Sequence, residues 1–370
     1  MDYPPTESGI AIACRRITKN ISNKVEVHVL TYGTEKDNFL VNKPRSISST
    51  KEENVFVHRI SPFSGNLMSV PAQEIQNMCY YLEKLDKKHK FDMFHGFNLT
   101  GSGYAAVFMA KKLKKRSIVS IRGNDIGRDV FDTSKLYSLK WILENANGVT
   151  SVTKDLLLLA ENIAKIKTKL VIKNTIDPEE FNEEIKKLKL DGTVICFNGI
   201  VRRKKGFGYL LLAFKKFLEK YKGTLLVIGE FMPEEKMSYL RMIDELGLVN
   251  NIMITGKLPH ETVLNYIKLA DVFVLPAVSE GSSNALLEAM YCKVPVIATR
   301  LGGAKDIIKH NKDGILIEPH SSESIYKAIV KLRNKRLRTK ISAAAYEKVL
   351  SNSPGDETKA WVRFYKKCLK

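Results

Sequence analysis

The sequence predicts an α/β protein made of two Rossmann-like, doubly wound domains. Three observations carry that prediction. Short β-branched or apolar runs alternate with longer amphipathic segments along the whole chain, the pattern of parallel α/β structure. The alternation begins again near Thr193. The length, 370 residues, suits two domains of roughly 100 to 200 residues, each able to bury its own core.

In the first half, strands are expected at Val25–Thr31, Val55–Ile60, Phe91–His95, Ser117–Ile121, Gly148–Ser151 and Leu170–Lys173, with helical periodicity over Ala72–Leu85, Gly103–Leu113 and Leu136–Asn145. In the second half, strands are expected at Thr193–Asn198, Thr224–Gly229, Asn251–Thr255, Val272–Pro276, Val294–Thr299 and Gly314–Glu318. The domains are placed at 1–175 and 176–350, with 351–370 as a separate carboxy-terminal helix. Asn174–Lys189, which carries Pro178, charges and no apolar period, is the linker. Pro354 and Gly355 signal a turn, and the helix after them puts Trp361, Phe364 and Tyr365 on a face that needs a partner. One element is absent. Met1 is followed at once by DYPPTESGIAIACRR, with no apolar strand before the glycine, so a first domain lacking its first strand, or a start placed inside the gene, is expected.

Composition excludes several classes. With 44% hydrophobic residues, 22 Gly and 12 Pro, a disordered chain is not expected, and at this length neither is a small stapled scaffold. The 5 cysteines are scattered without CxxC pairs, so neither a disulfide framework nor a zinc site is indicated, and a reducing cytoplasm fits. No apolar run reaches the ~18 residues a bilayer span needs. The formal charge of +20 is consistent with a nucleic acid, an anionic membrane or a phosphorylated ligand as partner, or with a solvated Lys-rich surface.

The most specific segment is SEGSSNALLEAMYCKVPVIATRLGG, Ser279–Gly303. A helix is expected to start near Asn284, with Ser282, Ser283 and Asn284 as capping types, so its positive end suits a phosphate. Glu288, one turn in, is placed to accept from ribose hydroxyls, and Glu280, at the strand end, to hold a sugar hydroxyl. A capped surface helix with two ordinary glutamates is the competing reading. The second segment, FNGIVRRKKGFGYLLLAFKKF, sets Arg202, Arg203, Lys204 and Lys205 at a strand-to-helix switch, where cations reach a diphosphate. There the alternative is an exposed basic turn.

These segments together resemble glycosyltransferase family 4, the retaining enzymes of the GT-B fold, also described as glycosyl transferases group 1. The resemblance runs from residue 3 to the C-terminus. It implies two Rossmann-like domains facing a central cleft, with the last helix crossing back to the amino-terminal, acceptor-binding domain. It implies Glu280 as the acid that contacts the donor sugar, Glu288 as the ribose acid and Lys205 as the diphosphate lysine, with Arg202 or Arg203 in place of the family's arginine, whose position holds Ile200. Gly302, Gly303 and Asp306 resemble its Gly-Gly-x-x-Glu. The loop Gly256–Leu258, with Lys257 and Leu258, would read the base. Gly9 matches its glycine loop and His95 its histidine near the transferred sugar; Asn174 and Asp177 match its interdomain Asn-Gly-Ile-Asp.

The implied function is a metal-independent hexosyltransferase (EC 2.4) that moves sugar from a UDP- or GDP-linked donor to a saccharide or lipid-linked acceptor, in polysaccharide or glycolipid synthesis. No cofactor or metal site is expected, and no Asp-x-Asp motif occurs. A cytoplasmic location at the inner membrane face is expected, with Lys111, Lys112, Lys114, Lys115 and Arg116 as a peripheral contact to anionic lipid and no specific nucleic-acid partner. The alternatives are an epimerase or inactive paralogue, which Ile200 favours, and a basic polyanion-binding protein.

Overall fold

The computed structural model describes residues 3–6, 8–33, 46–61, 71–177, 190–279, 281 and 283–370. The chain forms two compact units, residues 1–174 together with 354–370, and residues 175–353. Of the expected linker, 178–189 lies outside the described residues.

The first unit opens with helix α1 (Gly9–Ile21), capped by Ser8, whose side chain accepts from the Ala11 amide. Strands β1 (Val27–Tyr32), β2 (Ile47–Glu52) and β3 (Val55–Ile60) follow, then α2 (Pro71–His89), β4 (Met93–Gly96), α3 (Ser102–Leu113), β5 (Arg116–Ile121), the short α4 (Asn124–Gly127), α5 (Thr133–Asn145), β6 (Gly148–Ser151), α6 (Lys154–Glu161) and β7 (Lys169–Val171). These strands make two sheets, β1-β3-β2 and β4-β5-β6-β7. Every pairing is parallel except β2 with β3.

The second unit is a single parallel sheet with helices between its strands. In order it contains β8 (Thr193–Asn198), α7 (Phe207–Leu218), β9 (Gly223–Ile228), α8 (Pro233–Glu245), β10 (Ile252–Ile254), α9 (His260–Ile267), β11 (Val272–Leu275), α10 (Asn284–Tyr291), β12 (Val296–Thr299), α11 (Gly302–Ile307), β13 (Ile315–Ile317), α12 (Ser322–Lys331) and α13 (Lys335–Leu350). Its strands lie in the order β10-β9-β8-β11-β12-β13. The central strands β11 and β12 are buried at every residue because helices cover both faces, which is why they read as unbroken apolar runs.

Helix α14 (Pro354–Leu369) belongs to the first unit. Its aromatic face is buried there: Trp361 packs with Ala13, Ile17 and Phe97, and Phe364 with Ile118. Gly148 permits the approach, since a Cβ at that position would meet Cys368 Sγ at 2.5 Å.

Candidate functional site

The order of the second sheet creates a switch point. From β8 the chain builds outward through β9 and β10, then returns to the other side of β8 and continues through β11, β12 and β13. The loops leaving β8 and β11 therefore diverge at neighbouring strand ends, the place where open α/β sheets bind ligands. Both segments singled out in the sequence leave from this point.

After β8, the Arg203–Lys205 stretch forms one short 3-10 turn, which ends at Gly206 with φ 70°. A Cβ at Gly206 would come within 1.9 Å of the Pro276 carbonyl oxygen, so only glycine fits against the loop that follows β11. The Val278 amide donates to the Lys204 carbonyl at 2.9 Å, joining the two loops. The Arg203 amide donates to Glu235 at 2.5 Å, a contact that fixes the turn and that no spacing in the sequence signals. Arg202 and Lys205 are partly buried and Arg203 is exposed.

Helix α10 begins at Asn284, and Ser283 caps it: the Leu286 amide donates to Ser283 Oγ at 3.4 Å. The Ser283 hydroxyl, expected at the donor, is thus engaged by its own helix. The positive end of α10 lies at the same loop. Glu288 is buried, and the Asn198 side-chain amide donates to its Oε2 at 3.1 Å. The Gly303 amide donates to the Gly281 carbonyl at 2.8 Å, tying the start of α11 to the loop before α10. Glu280 and Ser282 lie outside the described residues.

Three glycines with positive φ end adjacent strands: Gly199 (132°) after β8, Gly229 (133°) after β9 and Gly256 (70°) after β10. Gly229 is pressed against Gly199, where a Cβ would sit 2.4 Å from its carbonyl oxygen, and its amide donates to the Gly256 carbonyl. Lys257, exposed, and Leu258, half-buried, follow directly, on the β9 side of the switch point.

The family described as glycosyl transferases group 1 matches residues 189–348, which contain this entire site, and the family described as glycosyl transferase 4-like matches residues 11–153. The chain is a glycosyltransferase, whose second unit matches the group 1 family. An uncharacterized glycosyltransferase of Methanocaldococcus jannaschii is 27% identical over 356 residues, which cover 88% of this chain and 85% of that protein. Among solved structures, sucrose-phosphate synthase from Thermosynechococcus elongatus superposes with a TM-score of 0.81 at 18% identity, covering 97% of this chain and 93% of that one. Anabaena HepE in complex with UDP and glucose gives 0.79 at 15% identity, with 99% and 98% covered. These two likenesses establish the GT-B fold.

In the first unit of this glycosyltransferase, Gly9 is the first residue of α1. His95, on β4, has both ring nitrogens engaged: Nδ1 with the Tyr365 hydroxyl at 3.0 Å and Nε2 with Ser120 Oγ at 2.7 Å. Burial, with the Arg122 guanidinium nearby, pulls its pKa down to about 3, so the ring is neutral. The structure gives His95 the task of joining β4 to α14 and β5. That partner, 270 residues away in sequence, had no signal in the local pattern. Asp125 accepts from the amides of Leu99, Arg122 and Gly123, and Arg122 itself donates to Asn174 at 2.8 Å and stacks on Phe97.

Of the basic cluster expected to meet lipid, Lys112 is paired with Glu83 at 2.6 Å, and Lys115 lies 3.6 Å from Asp86 and donates to the Phe91 carbonyl. Among the described residues no helix is long and apolar enough to cross a membrane. Also among them, Glu26, His28 and His89 place their donor atoms within 4.8 Å of one another, a geometry that can hold a divalent cation, on elements that carry none of the donor motifs.

Proposed function

We propose that this glycosyltransferase moves a sugar, with retention of anomeric configuration, from a UDP- or GDP-linked donor to a hydroxyl of a saccharide or lipid-linked acceptor, in cell-surface polysaccharide or glycolipid synthesis. The observation that carries the reading is the convergence, at one switch point, of the pair formed by Asn198 and the buried Glu288, the cationic turn Arg202–Lys205 and the positive end of α10. A nucleoside diphosphate matches that set group for group. Glu288 takes the ribose hydroxyls, while Lys205 with Arg202 and Arg203 takes the diphosphate. Lys257 and Leu258 take the base, Asn284 and the amides of its turn the distal phosphate, and Glu280 the donor sugar. HepE, of the same fold, is described with UDP and glucose bound, which supports a UDP-linked donor here.

In this reading the glycosidic C–O bond to phosphate breaks as the acceptor oxygen adds on the same face. The fixed cations and the helix end stabilise the charge that grows on the departing diphosphate. Such groups do the work of a metal ion, so activity is expected to survive a chelator.

The test is a donor screen with UDP-, GDP- and ADP-sugars, scoring nucleotide release and thermal stabilisation, on the wild type and on Lys205→Ala and Glu280→Ala. Loss of turnover in both variants with Tm unchanged supports the assignments, and full activity in either overturns its role. A second reading, an epimerase or inactive relative, is favoured by Ile200, which is 41% exposed where the resembling family carries arginine. Stabilisation by nucleotide without transfer would select it.

A further inference from the structure

Away from the donor motifs, the first unit gathers a set of side chains with the chemistry of a ligand shell. Glu26 and His28 stand two residues apart at the start of β1, so both leave the same face of the strand. His89, the last residue of α2, meets them from a distant part of the chain. One donor atom from each of the three lies within 4.8 Å of the others. Ligands that share an ion at about 2.0–2.2 Å stand roughly 3–3.5 Å apart, and Glu26, whose side chain is 68% exposed, can swing through the difference.

The two rings are held in place. Phe56 stacks on His28 with centroids 4.6 Å apart, and Phe91 lies nearly parallel to His89 at 5.8 Å and edge-on to His28 at 4.9 Å. Asp86 fixes the end of α2 by accepting from the Phe91 amide at 3.0 Å. Ligands set in advance in this way bind an ion with little reorganisation.

A hydrogen-bonded chain runs behind them through β1, β3 and β2. Glu26 Oε1 is 2.9 Å from His28 Nε2, His28 Nδ1 is 3.0 Å from His58 Nε2, and His58 Nδ1 is 2.7 Å from Ser49 Oγ. An ionised carboxylate only accepts, so with neutral rings every proton of the chain points toward Glu26: Ser49 donates to His58, His58 to His28 and His28 to the carboxylate. The chain is equally complete when reversed. With His28 Nε2 on an ion, its Nδ1–H donates to His58 Nε2, and His58 Nδ1–H donates to Ser49 Oγ. A ligating imidazole requires an acceptor behind it to fix its tautomer and orientation, and His58 with Ser49 provides one.

We propose that Glu26, His28 Nε2 and His89 bind a first-row divalent cation, best matched by Zn²⁺, with water completing the shell and with His58 and Ser49 as positioning residues behind His28. Two imidazoles and one carboxylate suit Zn²⁺, whereas Mg²⁺ and Ca²⁺ take shells of oxygen. The ion clips the start of β1 to the end of α2, and so stabilises the first unit without entering sugar transfer. Neither proton count nor ring charge changes on binding; both rings exchange tautomers.

The test uses the untagged full chain, stripped of metal and titrated with Zn²⁺ by calorimetry, with Tm read in parallel, on the wild type, Glu26→Gln, His89→Gln and His58→Gln. The wild type should take up a single ion per chain and gain Tm. Both ligand variants should bind roughly a hundredfold more weakly or worse, and His58→Gln roughly 10- to 100-fold more weakly. Because Glu26 is exposed, the metal-free Tm of Glu26→Gln should equal that of the wild type, which separates lost binding from lost folding. Nitrogen NMR of the imidazoles gives a readout that a merely structural His58 would not move: on saturation with Zn²⁺ the protonated nitrogen of His28 and of His58 should change from Nε2 to Nδ1. No uptake by the wild type overturns the proposal. So do equal affinities in wild type, Glu26→Gln and His89→Gln, uptake that is abolished instead by alkylating the cysteines, or tautomers unchanged by the ion.

Discussion

The Asn198 side-chain amide donates to Glu288 Oε2 at 3.1 Å, joining the end of β8 to the middle of α10 across the switch point of the second sheet. Glu288 is 5% exposed, so its carboxylate is aimed by this contact rather than by solvent. Glu288→Gln keeps the size of the side chain but removes the charge that would receive two ribose hydroxyls. Hydrogen bonds to charged groups are worth about 1.5–3 kcal/mol, so nucleotide affinity should fall roughly 10- to 150-fold. Asn198→Ala should cost less, because the carboxylate remains. Calorimetric titration with UDP and GDP measures both, and equal affinities for wild type and Glu288→Gln would remove Glu288 from the donor site.

Gly206→Ala tests the turn that carries the cations. Its φ of 70° disfavours any side chain, and the new Cβ would collide with the Pro276 carbonyl. The backbone must shift, and with it the contact between Val278 and Lys204. Two penalties are expected: about 1 kcal/mol or more for the left-handed conformation, and a further loss from the displaced loop. Donor turnover should fall much more than Tm, as judged by steady-state rates beside thermal denaturation.

Much of the second unit was legible in the sequence because its strands are buried on both faces and read as apolar runs; Val272–Pro276 was expected and β11 spans Val272–Leu275. The start of α10 was legible for the same local reason, as Ser283 is a good cap. Strand β2 was not legible: ISSTKE has no apolar period, being an antiparallel edge strand that is half-buried or exposed throughout. Contacts between residues distant in sequence were equally hidden. Nothing near His95 announces Tyr365, and nothing near Arg203 announces Glu235. Ser283 was expected both as a cap and among the donor contacts, and the coordinates show the cap, with its Oγ accepting from the Leu286 amide.

Arg16 and Glu357 form a buried two-point ion pair, with Nε to Oε2 and Nη2 to Oε1 both at 3.3 Å, that fastens α14 to α1. Arg122 senses the same carboxylate: burial brings its pKa down to about 10, Glu357 acts against that shift, and Arg16 adds to it. Removing one member of a buried pair typically costs about 3–5 kcal/mol. Arg16→Met should fall in that range. Glu357→Gln should cost more, since it removes the carboxylate whose charge both arginines face. Denaturant titration ranks the two, and the reverse order would show that Glu357 does not serve both arginines.

Stability should also fall as the solution is acidified, before the carboxylates titrate. His58 is held down to about 4, first by burial and then by its neighbours His28, His89 and Lys88, and His95 is held down to about 3. Both pKa values lie below the unfolded value near 6.5, so the unfolded chain binds more protons in the window between. The stabilisation is therefore fully present above pH 6.5 and is lost progressively as the pH falls toward 4. Linkage puts the loss at about 2 kcal/mol for each ring by pH 5. His58→Gln, which cannot titrate, should flatten the pH dependence of unfolding free energy between pH 6.5 and 5 relative to wild type, even if it lowers stability overall. Denaturant melts at half-unit pH intervals give the slope, and identical slopes for the two proteins would mean that His58 charges as readily folded as unfolded.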